Sequence, residues 1–91
     1  MMACEIARLA KDELCGITEL QPDTVSGVRH EEDGWHVTVE MVDLERIPPA
    51  TDVLDTYEVI LSEDGDLLSY QRVKRYYRGE ATEMAEEKRN A

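Results

Sequence analysis

The chain contains no phenylalanine and a single tryptophan, Trp35, and its aromatic share is only 5%. A core built around many large rings is therefore excluded. The large anchors expected are Trp35 and some of Tyr57, Tyr70, Tyr76 and Tyr77, with aliphatic side chains filling the rest. Long apolar runs are also missing, since no stretch approaches the roughly 20 residues that a membrane-spanning helix needs. The first residues show neither the basic nor the apolar region of a secretory signal. Cysteine is scarce: Cys4 and Cys15 are the only two. On one helix they would lie about 16 Å apart along the axis, too far to bridge each other. That pattern fits a reducing compartment, and the expected location is cytoplasmic. Basic side chains are few as well, with 10 Lys and Arg against 21 Asp and Glu and a formal net charge of -11. Such a balance argues against nucleic acid or an anionic membrane as the general partner.

What remains is enough for one small core in 91 residues, of which 42% are hydrophobic. Ile6, Leu9, Ala10 and Leu14 recur at helical spacing, which predicts an amphipathic helix over residues 3–15. Gly16 is the expected stop, with Ile17 making the contact that often accompanies it. Residues 20–23, with Pro22, read as a connector into a strand over 24–30 that Gly27 weakens. Trp35, Val37, Val39 and Met41 alternate with His36, Thr38 and Glu40, the period of a half-buried strand. That strand is expected over 35–46, with a β-bulge near Met41–Val42 because the apolar phase shifts there. Pro48 and Pro49 break pairing. Alternation resumes over 53–61, and the last strand covers 67–77.

Glu32-Asp33-Gly34 and Glu63-Asp64-Gly65 precede the second and fourth strands. Asp-Gly between alternating runs predicts tight hairpins with positive φ at both central positions. The fold class expected is α+β: an N-terminal amphipathic helix packed on a four-stranded antiparallel sheet made of two hairpins. Residues 1–78 would form one domain. Residues 79–91, charged and nearly without an apolar stripe, would form a helical or disordered tail.

No catalytic or metal constellation emerges. Cys4, Cys15, His30 and His36 have no C-x-x-C or H-x-x-x-H relation, so neither a metal nor another cofactor is expected. Cys15 lacks a marked base partner or oxyanion hole. Asp43, Glu45, Asp52, Asp55 and Glu58 crowd the strands on either side of the prolines and read as a solvated acidic face.

The most unusual composition is Arg72-Val73-Lys74-Arg75-Tyr76-Tyr77-Arg78. In an unbroken strand, Arg72, Lys74 and Tyr76 would point one way and Val73, Arg75 and Tyr77 the other. Two readings stand side by side. Arg72 and Arg75 could pair across strands with Asp43, Glu45, Asp55 or Glu58, or the cluster could be a protein-docking surface, where Tyr and Arg are favoured anchors.

Four blocks occur in order: a Trp35 strand through Val37-Thr38-Val39-Glu40; Arg46-Ile47-Pro48; Asp52-Val53-Leu54-Asp55-Thr56-Tyr57-Glu58-Val59; and Tyr70-Gln71-Arg72-Val73-Lys74-Arg75-Tyr76. Together they resemble the gas vesicle protein O family. The resemblance implies a non-enzymatic accessory role in assembling gas vesicles, the hollow protein-walled buoyancy organelles of some bacteria and archaea. The partners it implies are the shell protein or other accessory gas vesicle proteins, with a homodimer as a further option. The partner-binding residues singled out are Arg46, Arg72, Arg75 and Tyr76. An alternative role is regulation of gas vesicle gene expression through a transcription factor or nucleic acid.

Overall fold

A computed structural model describes residues 2–79. One helix, α1 (Ala3–Thr18), precedes four strands: β1 (Gln21–Glu31), β2 (Gly34–Leu44), β3 (Val53–Leu61) and β4 (Leu67–Tyr77), with a short 3-10 turn at Pro49–Thr51 before β3. The strands form one antiparallel meander in the order β1-β2-β3-β4. The helix packs on one face over β1, β2 and β3. This is the expected α+β arrangement. The tail expected from residue 79 onward lies almost wholly outside the described residues.

Ile6, Ala10 and Leu14 point one way because they repeat every four residues, and all three are fully buried. They meet Val37, Val39 and Met41 of β2 and Val59 and Leu61 of β3, which are equally buried and form the core with them. The core is thus aliphatic. Contrary to the expectation of aromatic anchors, Trp35 and Tyr57 are only partly buried at its margin, and Tyr70 and Tyr77 are exposed. Trp35 instead stacks on His30, with ring centroids 4.3 Å apart.

The helix does not stop at Gly16. It continues to Thr18 and ends at Glu19, which takes the left-handed conformation at φ 61° and donates its N–H to the Cys15 carbonyl. Thr18 holds that last turn by donating to the Leu14 carbonyl while accepting from the Leu20 N–H. Ile17 is left exposed rather than packed. The presumed connector is also strand, since β1 begins at Gln21 and includes Pro22. An edge strand tolerates proline on its open side, and irregularities beside Asp23 and Ser26 adjust the register to β2.

The bulge expected near Met41–Val42 occurs at Asp43, opposite the step from Leu54 to Val53. β2 then ends at Leu44, two residues short of expectation, because the Arg46 N–H donates to the Asp52 carboxylate rather than to a strand. Both hairpin turns differ from the type expected. Positive φ falls on Gly34 and Gly65 alone, and neither preceding aspartate shares it. Gly34 is required by close approach as well: a Cβ there would sit 2.1 Å from the Leu61 carbonyl oxygen. At the second turn Ser62 accepts from the N–H groups of Asp64 and Asp66.

Candidate functional site

The informative geometry lies where β2 ends, β3 begins and β4 ends. Asp43, Leu44, Arg46, Val53, Arg75, Tyr76 and Tyr77 line an open groove of about 620 Å³. Three of the four residues singled out in the sequence, Arg46, Arg75 and Tyr76, are brought together here. Arg72 is not part of the lining but reaches the same group of charges from the side.

β4 does not alternate cleanly. Tyr57 pairs with Arg72 and Thr56 with Lys74, leaving Val73 as an extra residue without a cross-strand partner. One inserted residue reverses the parity of all that follows. Arg72 and Arg75, which strict alternation puts on opposite faces, therefore share a face and converge on one carboxylate. Arg75 Nε lies 3.3 Å from Asp55 Oδ1, and Arg72 lies 3.9 Å from Oδ2. Arg75 also donates to Asp43. Cross-strand pairing of these arginines with Asp43 and Asp55 is thus what the strands form.

Asp55 is only 1% exposed, and neither of its oxygens receives a hydrogen bond of normal geometry. Burial first, then the neighbouring Asp43 carboxylate, push its pKa up to about 6, while Arg75 and Arg72 pull the other way. Asp43 shows the opposite shift. The neighbouring Asp55 carboxyl, together with Arg75, holds it below the ordinary carboxylate range. The two acids behave as one group that retains a proton well above the usual pH.

A second polar centre occupies the other face. Glu40, 9% exposed, accepts hydrogen bonds from Ser26 Oγ at 2.8 Å, Thr56 Oγ1 at 2.5 Å and the Tyr76 hydroxyl at 2.7 Å. Burial and then Glu40 raise the Tyr76 pKa, so its proton stays on the phenol. Lys74 places its ammonium 4.9 Å from the Tyr76 ring centroid. The Tyr76 side chain is therefore anchored to the Glu40 centre, while the residue itself also lines the groove.

Arg78 performs a third tie. It bridges Asp23 of β1 at 3.1 Å and Asp52, just before β3, at 3.3 Å. The basic cluster of residues 72–78 is thereby largely neutralised, since Arg72, Arg75 and Arg78 all face carboxylates. Arg46 differs. Its backbone N–H is held by Asp52 Oδ1 at 2.7 Å, but its side chain is exposed and has no ion-pair partner among the described residues.

Neither histidine belongs to a metal set. His30 bonds Glu63 and His36 bonds Asp33, each at 2.7 Å, and no group of three or more potential metal ligands occurs among the described residues. Cys4 and Cys15 are free, exposed thiols. No helix among the described residues is long and apolar enough to cross a membrane.

The family model described as "Gas vesicle synthesis protein GvpO" matches residues 1–82, a span that includes α1 and all four strands. The chain belongs to this family. It is 39% identical over 74 residues to gas vesicle protein O of Streptomyces sp. (strain CB03234), covering 81% of this chain and 58% of the relative. Gas vesicle protein O1 of Halobacterium salinarum is 28% identical over 74 residues, covering 81% of this chain and 62% of that protein. Gas vesicle protein O of Haloferax mediterranei is 35% identical over 51 residues, covering 56% of this chain and 36% of the relative. The chain thus spans about three fifths of the length of the first two relatives it matches. No solved structure matches it. Membership in the GvpO family connects the chain with gas vesicle synthesis.

Sequence reasoning missed the Asp43–Asp55 pair, the Glu40 centre and the Asp52 tie. The spacing of Arg72 and Arg75 carried a usable signal: two arginines three apart serve one acidic partner only if the strand inserts a residue between them. Nothing comparable marked Glu40, whose burial depends on hydroxyls from three other strands.

Proposed function

We propose that this chain is a non-enzymatic accessory protein of gas vesicle synthesis, acting through contacts with the shell protein or other accessory gas vesicle proteins, and that the groove between β2, β3 and β4 is where those contacts are made. The observation that carries the reading is convergence. Arg46, from the loop after β2, lines the same groove as Arg75 and Tyr76, from the far end of β4. Leu44 and Tyr77, both nearly half exposed, add apolar rim, and an arginine with aromatic and aliphatic neighbours is the composition favoured at binding hot spots. The four residues act differently: Arg46 contacts the partner, Tyr76 and Arg75 form the wall, and Arg72 keeps Arg75 in place through the shared Asp55.

The test is affinity capture of co-expressed gas vesicle proteins on the tagged chain, comparing the wild type with Arg46→Glu. The Arg46 side chain makes no hydrogen bond or ion pair among the described residues, so the substitution is expected to leave the fold intact by far-UV circular dichroism. Captured gas vesicle proteins are expected to be lost from the variant. Unchanged capture would exclude the groove.

A further inference from the structure

The loop after β2 is built in an uncommon way. Several of its polar groups are tied internally: Thr51 donates both its N–H and its hydroxyl to the Pro48 carbonyl, at 2.9 and 2.7 Å, and the Asp52 N–H bonds the Pro49 carbonyl at 2.9 Å. Asp52, only 8% exposed, holds the Arg46 N–H. A segment tied at so many points could fold its aliphatic side chain inward, yet Ile47 is 98% exposed. Lone exposed aliphatics are common. Here, however, Ile47 adjoins a groove rimmed by Leu44 and Tyr77, next to an arginine side chain that lacks an ion-pair partner among the described residues.

Charge narrows the occupant. The other groove cation, Arg75, is committed to Asp43 and Asp55, and Asp43 is in turn committed to Arg75. Among the residues that line the groove, the charge left uncommitted is therefore the positive one of Arg46, on a chain of net charge -11 and with the exposed Glu45 beside it but outside the lining. A second copy of the chain would bring the same arginine and a like net charge, and self-association is disfavoured on that ground. A basic partner would be attracted by the body but repelled at the groove.

We infer that the groove and its Arg46–Ile47 rim dock an amphipathic segment of a partner protein that carries aliphatic and acidic side chains on one face. Ile47 and Leu44 cover the aliphatic side chains, and the Arg46 guanidinium takes a carboxylate in the forked geometry that lysine cannot reproduce. A loop already held by its own hydrogen bonds loses little freedom on binding, which keeps the entropic cost low. This inference rests on the reading of the groove as a docking site and adds the chemistry of what docks.

The probe is a fluorescein-labelled amphipathic peptide of Leu, Glu and Ala, titrated against the full chain by fluorescence anisotropy. Two controls replace every Glu by Lys or every Leu by Ser. The Leu/Glu peptide is expected to bind, with amide shifts at Arg46, Ile47 and Tyr77, and both controls to bind at least about tenfold more weakly. Arg46→Glu and Ile47→Asp should each weaken binding by about tenfold or more, and Arg46→Lys by less.

Equal binding of the Glu and Lys peptides, or shifts confined to another surface such as β1, would overturn the inference. Sedimentation showing a dimer that Ile47→Asp dissociates would also overturn it, in favour of a second copy as occupant. The two proposals fail separately. If gas vesicle proteins are captured through Arg46 but the acidic peptide does not bind, the docking site stands and its partner chemistry falls. If the peptide binds at the groove but capture ignores Arg46, the chemistry stands and the assembly role of the groove falls.

Discussion

Replacing Asp55 by asparagine should make the protein more stable at neutral pH and bring no such gain in acid. The carboxyl releases its proton near 3.8 when the chain is unfolded and near 6 when it is folded. Between those values the folded state binds the extra proton, so stability falls as pH rises through this window and levels off above it. Two pKa units amount to about 3 kcal/mol. The low folded value of Asp43 acts in the opposite sense and at lower pH: its contribution is present above 3.8 and lost below. A scan from pH 4 to 7.5 therefore isolates Asp55.

The assay is urea unfolding followed by Trp35 fluorescence at several pH values. Asp55→Asn carries no proton to lose, so its stability relative to wild type should rise by about 2–3 kcal/mol across the scan. For a chain of this size that is a shift of about 10 °C or more in Tm. Asp43→Asn removes the second cause of the elevated value and should shrink the fall in an otherwise wild-type Asp55 background. Parallel stability curves for wild type and Asp55→Asn would refute the reasoning, because they would mean that the buried carboxyl ionises at its ordinary pH.

Three further outcomes follow from single contacts. Gly16→Ala should stabilise the protein by about 0.5–1 kcal/mol in thermal unfolding, since Gly16 lies inside the helix with open space where a Cβ would go. Gly34→Ala should cost about 3 kcal/mol or more, or prevent folding, because its Cβ would collide with backbone and its φ is 131°. Tyr76→Phe removes one of three donors to a buried carboxylate and should cost about 1–3 kcal/mol in urea unfolding, with Thr56 and Ser26 left to hold Glu40.

The regular parts of the fold were legible because each follows a local period. β3 and β4 fall on the boundaries that alternation predicts, and the helix face of Ile6, Ala10 and Leu14 is read directly from the spacing. The ends were less legible, since what ends each element is not local. Gly16 can end a helix, but the Thr18 hydroxyl continues it by one more turn. The second strand ends at Leu44 because Asp52, six residues beyond Arg46, takes the Arg46 N–H. Pro22 suggests a loop until β1 is seen to be an edge strand. Side-chain partnerships across the sheet were the least legible, because they depend on register. Without the inserted Val73, Arg72 and Arg75 would never meet at Asp55.

That inserted residue also bears on where the partner contacts are made. An exposed edge strand is a ready template for strand addition, and β4 offers one. Yet Val73 and Leu68 are both skipped in the pairing with β3, and Arg72, Lys74 and Arg75 flank Val73. Both devices blunt an edge. β1, the opposite edge, has Pro22 and two irregularities of its own. With both edges protected and Arg72, Arg75 and Arg78 engaged with carboxylates, the strands offer a partner little that is not already in use. The loop from Arg46 to Thr51 does the reverse: it is tied internally at Arg46 and Thr51 and turns an arginine and an isoleucine outward. On the proposed reading, the basic cluster of the last strand supports the groove, and recognition falls to the shorter Arg46-Ile47-Pro48 block.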